Sequence, residues 1–241
     1  ENAFMTRDLN DHVIYRSPVP AWQGRTMADV YVDYRAWQAT ATTNLSEAET
    51  QAFTELGVGK IRLTGGEPLV RNNILSLVER LGALPGLDEL VMTTNGSQLQ
   101  RLAQPLRDYG VRRINISLDS LQARRFRHLT RYGNLDQVIA GIDAAVDAGF
   151  EGIKINAVVL KGRNDDEVVD LVNFVRERGI DLAFIEEMPL GAITEHNREL
   201  SFCSSTELRE LIEPHHPLSA DPRSEASAGP ARYYSMADSP S

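Results

Sequence analysis

The chain is 241 residues long, 42% hydrophobic and 24% charged, which supplies a sizeable core and excludes the composition of a disordered segment. Its formal net charge of −9 argues against duplex nucleic acid or an anionic membrane surface as a main partner, since either needs a positive footprint. No apolar run reaches the about 18 residues of a membrane span and no signal peptide is legible, so a cytoplasmic protein is expected; the lone cysteine, Cys203, excludes an intramolecular disulfide and an all-cysteine metal site.

Residues 1–45 show neither alternation nor a helical stripe and read as an irregular N-terminal segment. From Ser46 the pattern sharpens, because Ser46 and Glu49 form a capping box that predicts a helix to about Leu56. Lys60–Thr64 reads as a strand, and Asn73 as the cap of a helix with Ile74, Leu77, Val78, Leu81 and Leu84 on one face. Leu90–Thr94 is the next strand, followed by a helix through Leu99, Leu102 and Leu106 in which Pro105 is a candidate kink. Ile114–Leu118 is the third strand. A basic segment comes next, then a helix burying Val138, Ile139, Ile142 and Val146 and stopping at Gly149.

The fourth strand is Ile153–Val159. Asn164 or Asp165 is the expected cap of a helix through Val168, Leu171, Val172 and Val175 that stops at Gly179. Leu182–Glu186 is the fifth strand, and a helix from Ser205 to about Ile212 precedes a Pro-, Ser- and Ala-rich tail over 215–241. Strands alternating with amphipathic helices predict an α/β fold with a parallel sheet, either an open doubly wound sheet or a barrel.

Both architectures bind ligands at the carboxyl ends of the strands, where this sequence places Gly65-Gly66-Glu67-Pro68, Thr93-Thr94-Asn95-Gly96, Ser117 with Asp119, and Glu186-Glu187-Met188-Pro189. Glycine pairs and Thr-Asn-Gly are also ordinary turn sequences, so neither alone marks a ligand. Lys154 and Arg62 are harder to dismiss, because each cation is flanked by aliphatic residues in a short strand and is costly there unless it meets water or an anion. Lys154 and Asn156 share one face by their even spacing. Arg124, Arg125, Arg127 and Arg131 read as well as a solvated helix face as a phosphate site and are left out. His12, His128, His196, His215 and His216 show no zinc spacing, so no metal ligand is assigned. Cys203 lies just ahead of a predicted helix start, which would lower its pKa, although a partly buried inert thiol explains it more simply.

The segment Lys60–Arg71, with Leu63-Thr64-Gly65-Gly66-Glu67-Pro68 at its centre, is followed in order by Thr93-Thr94-Asn95-Gly96, Ile114–Ser120, Lys154-Ile155-Asn156, Gly162–Glu167 and Phe184–Pro189. This series, over about residues 46–214, resembles the GTP 3',8-cyclase family (molybdenum cofactor biosynthesis protein A) of the radical S-adenosylmethionine superfamily. The resemblance implies a partial (β/α) barrel of about six βα units over 46–214, with 215–241 the start of a truncated C-terminal region. It implies a lyase that converts GTP to (8S)-3',8-cyclo-7,8-dihydroguanosine 5'-triphosphate, the first step of molybdenum cofactor synthesis, using S-adenosylmethionine and 4Fe–4S clusters. Carried over residue by residue, Gly65, Gly66, Glu67, Ser117 and Met188 take S-adenosylmethionine, and Arg62, Thr93 and Lys154 take GTP. GTP is the expected partner and a homodimer the candidate assembly.

The chain departs from the family in one respect. The family's Cys-x3-Cys-x2-Cys ligands belong ahead of Ser46, where residues 1–45 hold no cysteine, and those of the second cluster belong beyond the tail. The opening at Glu1 and the close at Pro240-Ser241 lead us to expect a truncated or mistranslated chain, or one lacking its cluster loops. The alternative is a cluster-free, catalytically inactive nucleotide-binding homologue. A third reading makes the chain an ordinary barrel enzyme, such as an aldolase with Lys154 as Schiff-base amine.

Overall fold

The structure is a computed structural model that describes strands at residues 4–7, 13–16 and 30–32, Thr54, and residues 57–187, 197–222 and 231–236. The expected helix from Ser46 to about Leu56 lies, apart from a helical Thr54, outside the described residues. Six strands form one sheet in the order β3 (Val30–Val32), β4 (Lys60–Leu63), β5 (Glu89–Thr94), β6 (Val111–Ser117), β7 (Gly152–Val158) and β8 (Asp181–Ile185). The β3·β4, β4·β5 and β7·β8 pairs are parallel. Spatial order follows chain order with no reversal. A doubly wound sheet must reverse at a switch point, so this topology is that of a partial (β/α) barrel with six strands.

Contacts divide the chain into two compact units. The first comprises Glu1–Thr94, Leu102–Ile114 and Ala148–Glu151. It contains an antiparallel pair, β1 (Phe4–Arg7) with β2 (Val13–Arg16), which corrects the expectation of an irregular segment here: four-residue strands are too short to set a visible period. Its helix α1 (Ile74–Gly82) buries Ile74, Leu77, Val78 and Leu81, the i, i+3, i+4, i+7 stripe that drives an amphipathic helix onto a sheet. Asn73 occupies the N-cap position as expected and its carbonyl accepts from Leu77 N at 3.3 Å, but at φ 60° and ψ 28° the residue is left-handed and its side chain makes no capping bond. Helix α2 (Leu99–Asp108), whose C-terminal part lies in this unit, runs through Pro105 and buries Leu102, Ala103 and Leu106.

The second unit comprises Asn95–Arg101, Asn115–Asp147 and Gly152–Ser241. The basic segment after β6 is itself helical, α3 (Ala123–Thr130), anchored by the single buried side chain Phe126. In α4 (Leu135–Ala148) the buried face is Leu135, Val138, Gly141, Ile142 and Ala145, while Ile139 and Val146 are only half-buried. A 3-10 turn at Asp165–Glu167 leads into α5 (Val168–Arg178), which stops at Gly179 as its sequence predicts. The short α6 (Arg198–Ser201) precedes α7 (Ser205–Ile212), which carries a complete capping box between Ser204 and Glu207. Val159, Val168, Val172, Cys203, Leu208 and Ile212 form a buried cluster there. An antiparallel hairpin, β9 (Leu218–Ala220) with β10 (Tyr234–Met236), packs Leu218 and Met236 against that cluster, so these parts of the 215–241 segment are structured.

Candidate functional site

In the first unit β4 alternates, with Ile61 and Leu63 buried and Lys60 and Arg62 half-buried on the opposite face. Arg62 Nη1 donates to Thr93 Oγ1 at 3.3 Å, which joins two of the residues expected to meet GTP. The strand then enters the Gly65-Gly66 turn, where both residues are exposed. Gly65 has φ 131°, a backbone conformation that excludes a side chain in practice. A Cβ on Gly66 would meet nothing within 4 Å, so its backbone is open to an incoming group. Glu67 closes the turn. Its Oε1 accepts from Leu69 N at 3.0 Å, capping a short 3-10 helix at Pro68–Val70, and from Thr94 Oγ1 at 2.6 Å. Thr94, 2% exposed, thus fixes the Gly-Gly-Glu turn to the end of β5, a role the Thr-Thr-Asn-Gly turn sequence does not disclose.

The opposite end of the same strands is structural. Lys60 and Glu89 are register partners joined by a 3.1 Å ion pair, and Arg113 also binds Glu89. Burial pushes the Glu89 carboxyl up, but the hydrogen bonds and charges of Arg113 and Lys60 outweigh it and hold the group below its ordinary value.

In the second unit Ser117 is the exposed last residue of β6. The backbone that follows is pinned at every step. Leu118 N donates to Asn156 O at 2.9 Å, and Asp119 Oδ1 accepts from Val158 N at 2.8 Å. Burial raises the Asp119 carboxyl, against the lowering effect of the Val158 N–H. Asn164 does not cap the following helix; its Nδ2 donates to Asp119 O and Val158 O, and its Oδ1 accepts from Leu160 N at 2.8 Å. The buried Glu167 carboxylate takes Ser120 Oγ at 2.8 Å, Leu121 N at 2.6 Å and the Arg125 guanidinium. Arg125 also forks onto Asp166 at 2.7 and 3.0 Å, whereas Arg124, Arg127 and Arg131 are exposed.

Strand β7 alternates over its whole length, with Ile153, Ile155 and Ala157 buried and Lys154, Asn156 and Val158 half-buried on the other face. Lys154 Nζ lies 5.0 Å from the centroid of the Tyr233 ring. Tyr233 is a residue the sequence reading passed over. Beyond β8, Glu186 accepts from Ser205 N at 2.6 Å, which assigns it to the start of α7. Met188 lies outside the described residues.

The remaining candidates resolve into structure. Cys203 is buried, and burial followed by the nearby Glu207 charge pushes its thiol up, the reverse of helix-start activation. His216 Nε2 is 2.9 Å from Asn173 Oδ1. Among the described residues no group of three His, Cys, Asp or Glu side chains is placed to hold a metal ion, and no helix is long and apolar enough to cross a membrane. Each unit therefore presents a cation on the half-buried face of a parallel strand. The first adds an exposed backbone turn, and groups of these kinds can each pair with an anion.

A family model for the radical SAM superfamily matches residues 32–175. The GTP 3',8-cyclase of Pseudomonas entomophila is 62% identical over 191 residues, covering 79% of this chain and 57% of that protein. The GTP 3',8-cyclase of Marinobacter nauticus is 58% identical over 187 residues, covering 78% and 56%. The chain thus spans a little over half the length of these curated relatives. Among solved structures, the coproporphyrinogen III oxidase HemN of Escherichia coli, a radical SAM enzyme, superposes with TM-score 0.50 at 17% identity over 65% of this chain and 42% of that one. HydG, a maturase of the FeFe-hydrogenase, gives TM-score 0.50 at 11% identity over 70% and 41%. These two likenesses concern the fold.

Proposed function

This chain belongs to the radical SAM superfamily, and from that premise we propose that it forms the GTP- and S-adenosylmethionine-binding part of a GTP 3',8-cyclase, a lyase of molybdenum cofactor synthesis. The observation that carries the proposal is the extent of identity with proteins of that name, which spans every strand from β4 to β8. In this reading Arg62, Thr93 and Lys154 hold the nucleotide. The cations engage its phosphates, and the hydroxyl of Thr93, already an acceptor for Arg62, orients the guanidinium. Gly65, Gly66, Glu67, Ser117 and Met188 take S-adenosylmethionine, with the open backbone at Gly66 as the approach and Glu67 holding the turn in shape. A cytoplasmic location and a homodimer complete the proposal.

The residues present do not fit an iron–sulfur cluster. Such a cluster needs several thiolates, and these 241 residues hold one cysteine, which is buried with its pKa raised. The same observation supports a second reading, a cluster-free nucleotide-binding homologue. Anaerobic reconstitution of the chain with iron and sulfide separates the readings from a complete enzyme. Negligible iron with saturable GTP binding fits a nucleotide-binding part or a cluster-free homologue. Stoichiometric cluster incorporation contradicts the argument from the missing cysteines. Joining cysteine-bearing segments of a curated relative to the chain then distinguishes the two: recovery of turnover supports the cyclase part, and no recovery supports the homologue.

A further inference from the structure

The β9–β10 hairpin packs on the buried cluster of the second unit. It is held at three points: Leu218 and Met236 pack on the buried cluster, Asp221 N donates to Tyr233 O at 3.0 Å, and Arg209 of α7 donates to Tyr234 Oη at 3.1 Å. Ser235 Oγ adds a bond to Asp221 at 2.8 Å. Tyr233, directly ahead of β10, is thereby brought to Lys154, 79 positions earlier in the chain by their residue numbers, with Nζ 5.0 Å from its ring centroid. An aromatic face attracts an ammonium through its quadrupole but carries no formal charge. A carboxylate in the same place would neutralise the lysine. Among the described residues Lys154 makes no ion pair, its register partner Asp181 across β7·β8 included, and its contact is the Tyr233 ring. The ammonium is therefore localised while its charge remains available to an anion.

We propose that Tyr233 is a positioning residue of the nucleotide site, holding the Lys154 ammonium for the phosphates of GTP. The inference rests on the nucleotide reading given above. It makes the C-terminal hairpin a working part of that site.

The test is a double-mutant cycle on the full chain, read as the Kd for GTP by calorimetric titration. Tyr233→Leu weakens binding by about two- to fivefold, the range for a partly exposed cation–π contact, and Tyr233→Phe, which keeps the ring, stays within about twofold. In a Lys154→Ala background the Tyr233→Leu loss disappears. A merely structural hairpin residue predicts a loss that persists in that background, and this result overturns the proposal, as does wild-type affinity in Tyr233→Leu. A measurement that needs no variant is the Lys154 ε-methylene resonance, which the ring shifts upfield and GTP then moves; an unshifted resonance contradicts the contact. A wild-type chain that does not bind GTP, or a Lys154→Ala variant that binds it unchanged, overturns the nucleotide reading itself and this inference with it.

Discussion

Replacing Glu167 with Ala tests whether the backbone after Ser117 is held by a charge network or by apolar packing. Glu167 is 1% exposed, and three donors converge on its carboxylate. Removal costs the Ser120 hydroxyl, at 0% exposure, its bond to a charged acceptor and leaves it the long 3.4 Å contact with Gln122 O, a loss of about 1–2 kcal/mol. The Leu121 amide loses a charge-assisted bond, worth about another 1–2 kcal/mol. Arg125 keeps its two bonds to Asp166, so its contribution is small. The sum is about 3 kcal/mol, the lower end of the range for breaking a buried charged network. Urea unfolding followed by far-ultraviolet circular dichroism reads this as a lower midpoint at unchanged slope. Asp166→Ala is the control, since its side chain is 59% exposed and its pair with Arg125 is worth about 1 kcal/mol or less. A Glu167→Ala variant within about 0.5 kcal/mol of wild type refutes the reasoning, because apolar packing would then suffice.

The Lys161 hydrogen bond, followed by those from the Ser204 amide and hydroxyl, lowers the Glu207 carboxyl to about 2 from the ordinary 4.5. Its folded pKa lies below its unfolded one, so its support for the α7 capping box is present above about pH 4.5 and lost as pH falls through about 2. A carbon-13 titration of the Glu207 carboxyl should show that midpoint, and Lys161→Ala should raise it; an ordinary midpoint in the wild type contradicts the capping geometry. The Cys203 thiol, buried and pushed up, should react with a disulfide reagent at least about tenfold more slowly in the native chain than in urea, and equal rates would mean that the cluster around it is open. Gly66→Ala meets open space and should leave stability within about 0.5 kcal/mol of wild type, so any loss of S-adenosylmethionine binding in it reports on the site alone. Gly141→Ala sets a Cβ 2.3 Å from the Gly96 carbonyl oxygen and should cost about 2 kcal/mol or more by the same unfolding measurement, with a neutral effect excluding that close approach.

The five strands from β4 to β8 were legible because each is a short apolar run between helical stripes, and β7 shows the alternation in its cleanest form. What failed was local chemistry with more than one outcome. Asn73 and Asn164 look like caps, but Asn73 turns left-handed and Asn164 spends its amide on three backbone groups of the β6 and β7 ends. Helix α3 was hidden because one apolar anchor, Phe126, is too little to set a period among arginines. The hairpin at 218–236 was invisible because its two core contacts, Leu218 and Met236, lie in separate three-residue strands. At the candidate site the unusual cations Arg62 and Lys154 could be singled out from burial cost alone. Their neighbours Thr93 and Tyr233 come from other elements, and no spacing rule predicts such pairs.

We propose that these residues build a nucleotide-binding part of a radical SAM protein. Equilibrium titration of the 241-residue chain with GTP, alongside Arg62→Ala and Lys154→Ala, tests it most directly. Saturable binding by the wild type, weakened about tenfold or more in each variant as a lost charge-assisted phosphate contact requires, is the predicted result. Absence of GTP binding, or binding indifferent to both cations, would contradict the claim.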